Sequence, residues 1–255
     1  EVDVYWIFSL HSFTSGCSES QVEYSGEMAL CVMIFLLVIP ASLAQEDMND
    51  KVFLFPKDKH TDYVSLTPNI TKPLEKFSVC LYFFRDFLRN FNLFSLASPG
   101  TGNKFYFSDS SSSNTVHMNK DSALFRTNME PYEWKHACVT WNSDTGLVKL
   151  WVNGKLYPRR VCMKGASIPA ETSMVLGQKQ DSFEQRPTSY PFVGEMSDVH
   201  MWDYVLTPDE MLQALNKNAH GNIINWNSLL YEIKGDILVL PKSRCSYQIT
   251  SKSCK

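Results

Sequence analysis

Three kinds of side chain in this sequence could do chemistry: a pair of carboxylates, a set of cysteines, and a histidine placed beside one of them. Glu195 and Asp198 are the nearest acids within one strand-like run, and two carboxylates flanking a bond are what glycoside hydrolysis requires. Their odd spacing predicts opposite faces of a strand, which argues against that reaction. Of the seven cysteines, Cys17 and Cys31 precede or lie within an apolar N-terminal run, leaving Cys80, Cys138, Cys162, Cys245 and Cys254. An oxidising compartment favours bridges among these five, and the odd count leaves one thiol for an intermolecular bond or for none. No C-x-x-C or His-rich spacing supports zinc. His136 is expected to be a hydrogen-bonded strand-end residue rather than a catalyst. Asn69-Ile70-Thr71 is an N-glycosylation sequon between Pro68 and Pro73, and ordinary turn residues account for it equally well.

These groups need strands to hold them. In His136-Ala-Cys-Val-Thr-Trp-Asn-Ser143, Ala137, Val139 and Trp141 fill one face while His136, Cys138 and Thr140 take the other. Cys138 is then free to reach across to another sheet, and an aromatic beside a buried half-cystine suits the middle of a two-layer sandwich. Around this stretch, short apolar runs alternate with turn residues, the pattern of an all-β chain. Phe77–Phe84 is apolar on both faces and should be central, and Asn153-Gly154 after Leu147–Val152 predicts a tight hairpin. Asp109 to Asn114, with four consecutive serines, is expected to be a mobile loop tip. Trp141, Trp151, Trp202 and Trp226 are expected in the core. One helix is predicted, opened by Thr207-Pro-Asp-Glu210, a capping box with Pro at the first helical position, with Met211, Leu212 and Leu215 as its apolar face.

The ends of the chain read differently. Met28 leads an apolar run to Ile39, followed by Ser42-Leu43-Ala44 with small residues at the −3 and −1 positions. This is a signal-peptide pattern over 28–44, too short to span a bilayer comfortably, and a buried core helix is the alternative reading. Residues 1–27 are expected to have no packed structure, the folded domain to cover 45–241, and 242–255 to form an appended tail with two cysteines. A net charge of −3 with well-mixed signs leaves no electrostatic footprint for nucleic acid.

His136-x-Cys138-x-Thr140-Trp141-x-Ser143 matches every specified position of the pentraxin signature, and the chain resembles that family in further stretches. These include Lys51-Val-Phe-Leu-Phe-Pro56, Leu176-Gly-Gln-Lys-Gln-Asp-Ser-Phe183, Val193-Gly-Glu195 and Met201-Trp-Asp203. The resemblance runs from about Asp47 to Pro241. It implies a lectin-like jelly roll of two antiparallel sheets with one α-helix on a face, a Cys80–Cys138 bridge, secretion, and assembly of identical copies into a five-membered ring. It also implies two calcium ions on the face opposite the helix, holding phosphorylated or anionic ligands, in a binding protein rather than an enzyme.

Calcium takes six to eight oxygen ligands, and here the resemblance frays. Where the family carries an Asp-Asn pair this chain has Gly102-Asn103, and where it carries Glu-Gln-Asp this chain has Lys179-Gln180-Asp181. Asn103, Gln180 and Asp181 remain as candidate ligands. Glu184 and Gln185 could substitute for a later acid only if their shortened loop, with Pro187 and Pro191, folds differently. An ammonium in place of a bridging carboxylate removes a ligand and adds several kcal/mol of repulsion at close range. The function expected is multivalent recognition of phosphocholine-type or anionic polysaccharide ligands, with a weakened calcium site. The alternatives are a calcium-independent structural or storage oligomer and, less favoured, a glycoside hydrolase. Cys162, in the basic segment Arg159–Lys164, could pair with Cys245 or Cys254 or link subunits.

Overall fold

The computed structural model describes residues 47–254, apart from 87–88, 101, 128–129, 181–189, 244 and 249–250. The expected unpacked segment 1–27 and signal peptide 28–44 lie outside the described residues. The strands in chain order begin with β1 (Lys51–Phe55), β2 (Tyr63–Leu66), β3 (Lys76–Phe84), β4 (Phe91–Ser98), β5 (Gly102–Asp109) and β6 (Ser113–Met118). Next come β7 (Asp121–Arg126), β8 (Lys135–Asn142), β9 (Leu147–Val152), β10 (Lys155–Leu156), β11 (Arg160–Val161), β12 (Ser173–Leu176) and β13 (Gly194–Trp202). After the helix α1 (Pro208–Leu215) follow β14 (Tyr231–Lys234), β15 (Leu238–Pro241), β16 (Cys245–Gln248) and β17 (Ser251–Cys254).

Two antiparallel sheets stack as a jelly-roll sandwich. One has the order β10-β9-β8-β3-β13-β1-β15, with β11 also on β9, and the other runs β14-β2-β12-β4-β5-β6-β7. Strict alternation builds the space between them. Phe105, Phe107, Val116 and Met118 point inward from β5 and β6 while Tyr106, Ser108, Thr115 and His117 point out. Phe77 links the layers, meeting Phe105 edge-on at 4.9 Å between ring centres and Trp141 at 5.6 Å. Ala137, Val139 and Trp141 lie in this core as expected, and the Trp141 indole N–H donates to the Cys162 carbonyl at 3.1 Å. Trp141, Trp202 and Trp226 are buried, and the half-buried Trp151 packs against the second core cluster.

The bridge does not join the layers. Cys80 and Cys138 are bonded with a Cα–Cα distance of 4.1 Å, and they sit directly opposite each other on the adjacent strands β3 and β8. The expectation that Cys138 reaches another sheet therefore fails, because the closest partner face belongs to the strand beside it. On that outer face the disulfide floors a second apolar cluster with Trp202, Leu206, Met211 and Ala214, capped by α1. The capping box is present in both directions, Glu210 N donating to Thr207 Oγ1 at 3.3 Å and Thr207 N to Glu210 Oε2 at 2.8 Å. The helix face departs from expectation, since Ala214 is buried beside Met211 while Leu212 is exposed.

Two tight turns close neighbouring strands. At 109–114 the backbone forms a hairpin, with Ser110 N on Ser113 O at 2.8 Å and both flanking residues, Asp109 and Asn114, buried. Only its tip fits the expected loop. At Asn153-Gly154 both residues have positive φ, 48° and 76°, as a primed two-residue turn needs.

Candidate functional site

The outward side chains of β5 and β6 line a cavity of ≈ 300 Å³ on the sheet face opposite the helix-bearing one. Tyr106 and His117 stack within it, ring centres 4.1 Å apart and planes 9° from parallel. Lys179 Nζ stands 5.2 Å from the Tyr106 ring centre, a cation–π distance. Burial, and then the nearby Lys179 ammonium, hold the His117 imidazole below its usual pKa, so it is neutral at physiological pH. Ser108, Thr115 and Asn92 add polar groups to the wall. The cavity thus offers an aromatic shelf, hydroxyl and amide groups, one ammonium and, in its wall, the Asp109 carboxyl paired with Arg85, a set able to hold a polar or anionic group carrying an apolar or sugar-like body.

The loop that brings Lys179 here leaves the core at Gly177. Its φ is +83°, and a Cβ there would lie 2.3 Å from the Phe55 ring, so only glycine fits. Gln178 then ties the loop down, its buried amide donating to Lys59 O at 3.0 Å and Asp62 O at 3.3 Å. Gln180 follows the same pattern. Its Nε2 donates to Ser173 O at 3.0 Å and to Ser95 O at 3.3 Å, and its Oε1 accepts from Ser173 Oγ.

Among the expected calcium ligands, Gln180 has its side-chain amide taken up inside the loop. Its oxygen is buried and engaged by a hydroxyl. Asn103 pairs by backbone with Ala97 on β4, two positions along from the Ser95 that Gln180 touches, so the two belong to one end of the strand pair. The Asn103 side chain, Asp181, Glu184 and Gln185 lie outside the described residues. Of the described residues, Gln180 has its side-chain oxygen already bonded to a hydroxyl, and Lys179 places an ammonium where a hard cation needs carboxylate. Among the described residues the one close group of metal-type side chains is Cys80, His136 and Cys138, and its two sulfurs are bonded to each other.

The opposite face holds the two carboxylates, and here the expected geometry is overturned. The register of β13 against β3 shifts between Ser197 and His200, with Asp198 at φ 52°. This bulge resets the alternation, so Glu195 and Asp198 share the outer face, and Lys242 acts electrostatically on both. The core positions Met196, Val199 and Met201 carried the signal, since apolar residues at an odd spacing interrupt period two. Asp198 is not available for acid–base work. Its Oδ2 accepts from Ser197 Oγ at 2.7 Å and lies 3.0 Å from Lys242 Nζ and 3.2 Å from Lys217 Nζ. Burial works to raise its carboxyl, but Lys242 first, with Ser197 and Lys217, holds it below the usual carboxylate range.

His136 fits the structural role expected of it. It is buried, its Nε2 lies 3.3 Å from Cys138 Sγ, and burial pushes its pKa down to about 4 against the pull of Asp198. Asn69 is exposed, with its backbone N–H on Ile223 O at 3.0 Å. Cys162 is a buried free thiol. Among the described residues no helix is long and apolar enough to cross a membrane.

Comparison with known proteins places these features in context. A family model described as the Pentaxin family matches residues 51–241, ending where the tail begins. C-reactive protein of Xenopus laevis is 44% identical over 218 residues, covering 83% of this chain and 92% of its own length. C-reactive protein of Homo sapiens is 37% identical, with 85% and 98% covered. Serum amyloid P-component of Mus musculus is 34% identical, again over 85% and 98%. Among solved structures, a native heptameric SAP-like pentraxin from Limulus polyphemus superposes with a TM-score of 0.67 at 21% identity, covering 76% of this chain and 95% of its own.

Proposed function

The chain belongs to the pentaxin (pentraxin) family, and from that premise we propose that it is a secreted recognition protein, not an enzyme. Identical copies assemble in a ring and bind phosphocholine-type or other anionic groups on repetitive surfaces. The observation that carries this reading is the Lys179–Tyr106–His117 array at the cavity on the face away from the helix. A cation over an aromatic shelf supplies directly the positive charge that calcium would otherwise bring to an anion. One such contact is weak, and a ring raises avidity by presenting several sites to one surface.

The ring itself is supported by the two ends of the eight-stranded sheet. Leu156 and Val161 are 43% and 67% exposed on β10 and β11, and Leu238 and Leu240 are 50% and 37% exposed on β15 at the other end. Two different apolar edges on one protomer suit a head-to-tail contact, which closes into a ring when the rotation permits. The expected ring has five members, and light scattering of the purified protein measures the number.

The ammonium of Lys179, where the family carries a carboxylate, favours a second reading, an oligomer of the same fold that binds no calcium and serves a structural or storage role. Retention on phosphoethanolamine resin separates the two. The expected result is retention in the presence of chelator and elution by salt, because an ammonium–anion contact partly open to water is screened. Lys179→Ala is expected to weaken each site by about 10–100-fold, the worth of one charged hydrogen bond. Elution by chelator, with tight calcium binding in calorimetry, would overturn the calcium-independent reading. No retention under any condition would favour the structural one.

A further inference from the structure

The tail beyond the family match forms a two-stranded sheet of its own, and its register sets Cys245 directly opposite Cys254. We propose that Cys245 and Cys254 form a second disulfide that staples this C-terminal hairpin within each chain. Three observations converge on it. Directly opposed residues of an antiparallel pair have Cα atoms roughly 4.5–5.5 Å apart, inside the ~4.4–6.8 Å that a disulfide spans. The pairing Gln248↔Ser251 encloses two residues, so it is the hydrogen-bonded kind that closes a two-residue hairpin. Counting outward, Cys245↔Cys254 falls on the closer, non-hydrogen-bonded kind. Cys80 and Cys138 are likewise directly opposed, and they are already bridged.

The competing partners are removed by the rest of the fold. Cys80 and Cys138 are spent on each other, and Cys162 is 1% exposed within the main core cluster, beside Asp121. The odd cysteine of the folded chain is thus the buried one. The tail also needs a staple, because an isolated two-stranded hairpin is marginal in water. Its root is fixed separately: Lys242 N donates to Asp50 O at 2.7 Å, and its ammonium sits 4.0 Å from the Trp134 ring centre. In the oxidation two S–H bonds break and one S–S bond forms. The two protons leave to solvent, and the electron pair passes to a disulfide oxidant, whose own S–S bond is cleaved to two thiols.

The test is a non-reducing tryptic digest of the full chain secreted from cells, with free thiols alkylated before denaturation. Trypsin cuts after Arg244 and Lys252, so the expected product is peptide 245–252 joined to peptide 253–255, separating on reduction. The protein should run as a monomer on a denaturing, non-reducing gel, and Cys162 should take alkyl label only after unfolding. In Cys254→Ser, Cys245 should go from unlabelled to fully labelled or form a covalent dimer. Alkylated Cys245 and Cys254 in the native protein, either one joined to Cys162, or a covalent dimer of the unaltered chain would each overturn the proposal.

Discussion

Asp198→Asn removes one negative charge from the helix-side face and changes little else, because asparagine tolerates the left-handed backbone that the bulge imposes at φ 52°. Lys242 Nζ at 3.0 Å and Lys217 Nζ at 3.2 Å from Asp198 Oδ2 each represent roughly 5 kcal/mol of gross attraction at an effective dielectric of about 20. Lys217 is 37% exposed, so screening by water discounts its share. Lys242 is only 8% exposed, and stranding its ammonium sets the net loss at about 3 kcal/mol. The pH dependence follows from Lys242, which burial, against the pull of Asp198, lowers to about 8. A lysine whose folded pKa lies below its unfolded value costs stability while protonated. That cost is present below about 8 and is relieved as pH rises toward the unfolded value near ~10.5. Without Asp198 the folded pKa falls further, so the deficit of the variant should be about 3 kcal/mol near pH 6 and shrink to roughly 1 kcal/mol above pH 9. Glu195 is the other acid that feels Lys242, while His136 and His200, both lowered to about 4 by burial, stay neutral throughout this window. Urea unfolding at fixed protein concentration, with disulfides intact, reads the difference as a midpoint shift of about 1–2 M. A deficit independent of pH, or below about 1 kcal/mol at pH 6, would refute the reasoning.

The core supplies three further tests. Arg85→Met strands the buried Asp109 carboxylate, now 2.6 Å from Arg85 Nε and pushed up to about 7 by burial against that guanidinium. The loss should be about 3–5 kcal/mol at pH 8 and smaller at pH 5, where the carboxyl takes a proton, as paired unfolding curves would show. Trp141→Ala empties the inter-sheet centre and leaves the Cys162 carbonyl without its indole donor. A cost of about 3–5 kcal/mol is expected, read by calorimetry as a fall of about 10 °C. Replacing both Cys80 and Cys138 by serine opens a loop of sequence separation 58, for which chain entropy predicts about 4 kcal/mol. A loss under 1 kcal/mol in urea unfolding would instead mean that the unfolded chain is already compact there.

The sandwich was legible because alternation is a local signal that the core then enforces. Tyr106, Ser108, Thr115 and His117 could not slip by one residue without driving Phe105, Phe107 and Val116 into water. The helix start was legible for a similar reason, since Thr207, Pro208 and Glu210 satisfy one another within a single turn. Pairing across the chain was not. Whether Cys138 meets its partner across the layers or across a strand gap depends on which strand lies beside β8, and neither residue carries that information alone. The bulge at Asp198 was half visible. Met196 and Val199 break the alternation, yet Ser197-Asp198 marks a left-handed residue only weakly, through the tolerance of Asp for positive φ, because glycine is absent.

The ligand loop was legible only in its anchors, and the physical reason bears on the function. Gly177 has room for no side chain, and Gln178 and Gln180 bury their amides against backbone carbonyls. Those constraints come from the core. Lys179 lies between them, half-buried, with its ammonium 5.2 Å from the Tyr106 ring centre and outside the main core. The sequence of a loop built this way can exchange a carboxylate for an ammonium while Trp141, the Cys80–Cys138 bridge and both sheets stay as they are. Resemblance in the scaffold therefore carries no information about the sign of charge at this position. Calcium dependence therefore has to be argued from Lys179 and its neighbours in the loop, and not from the scaffold.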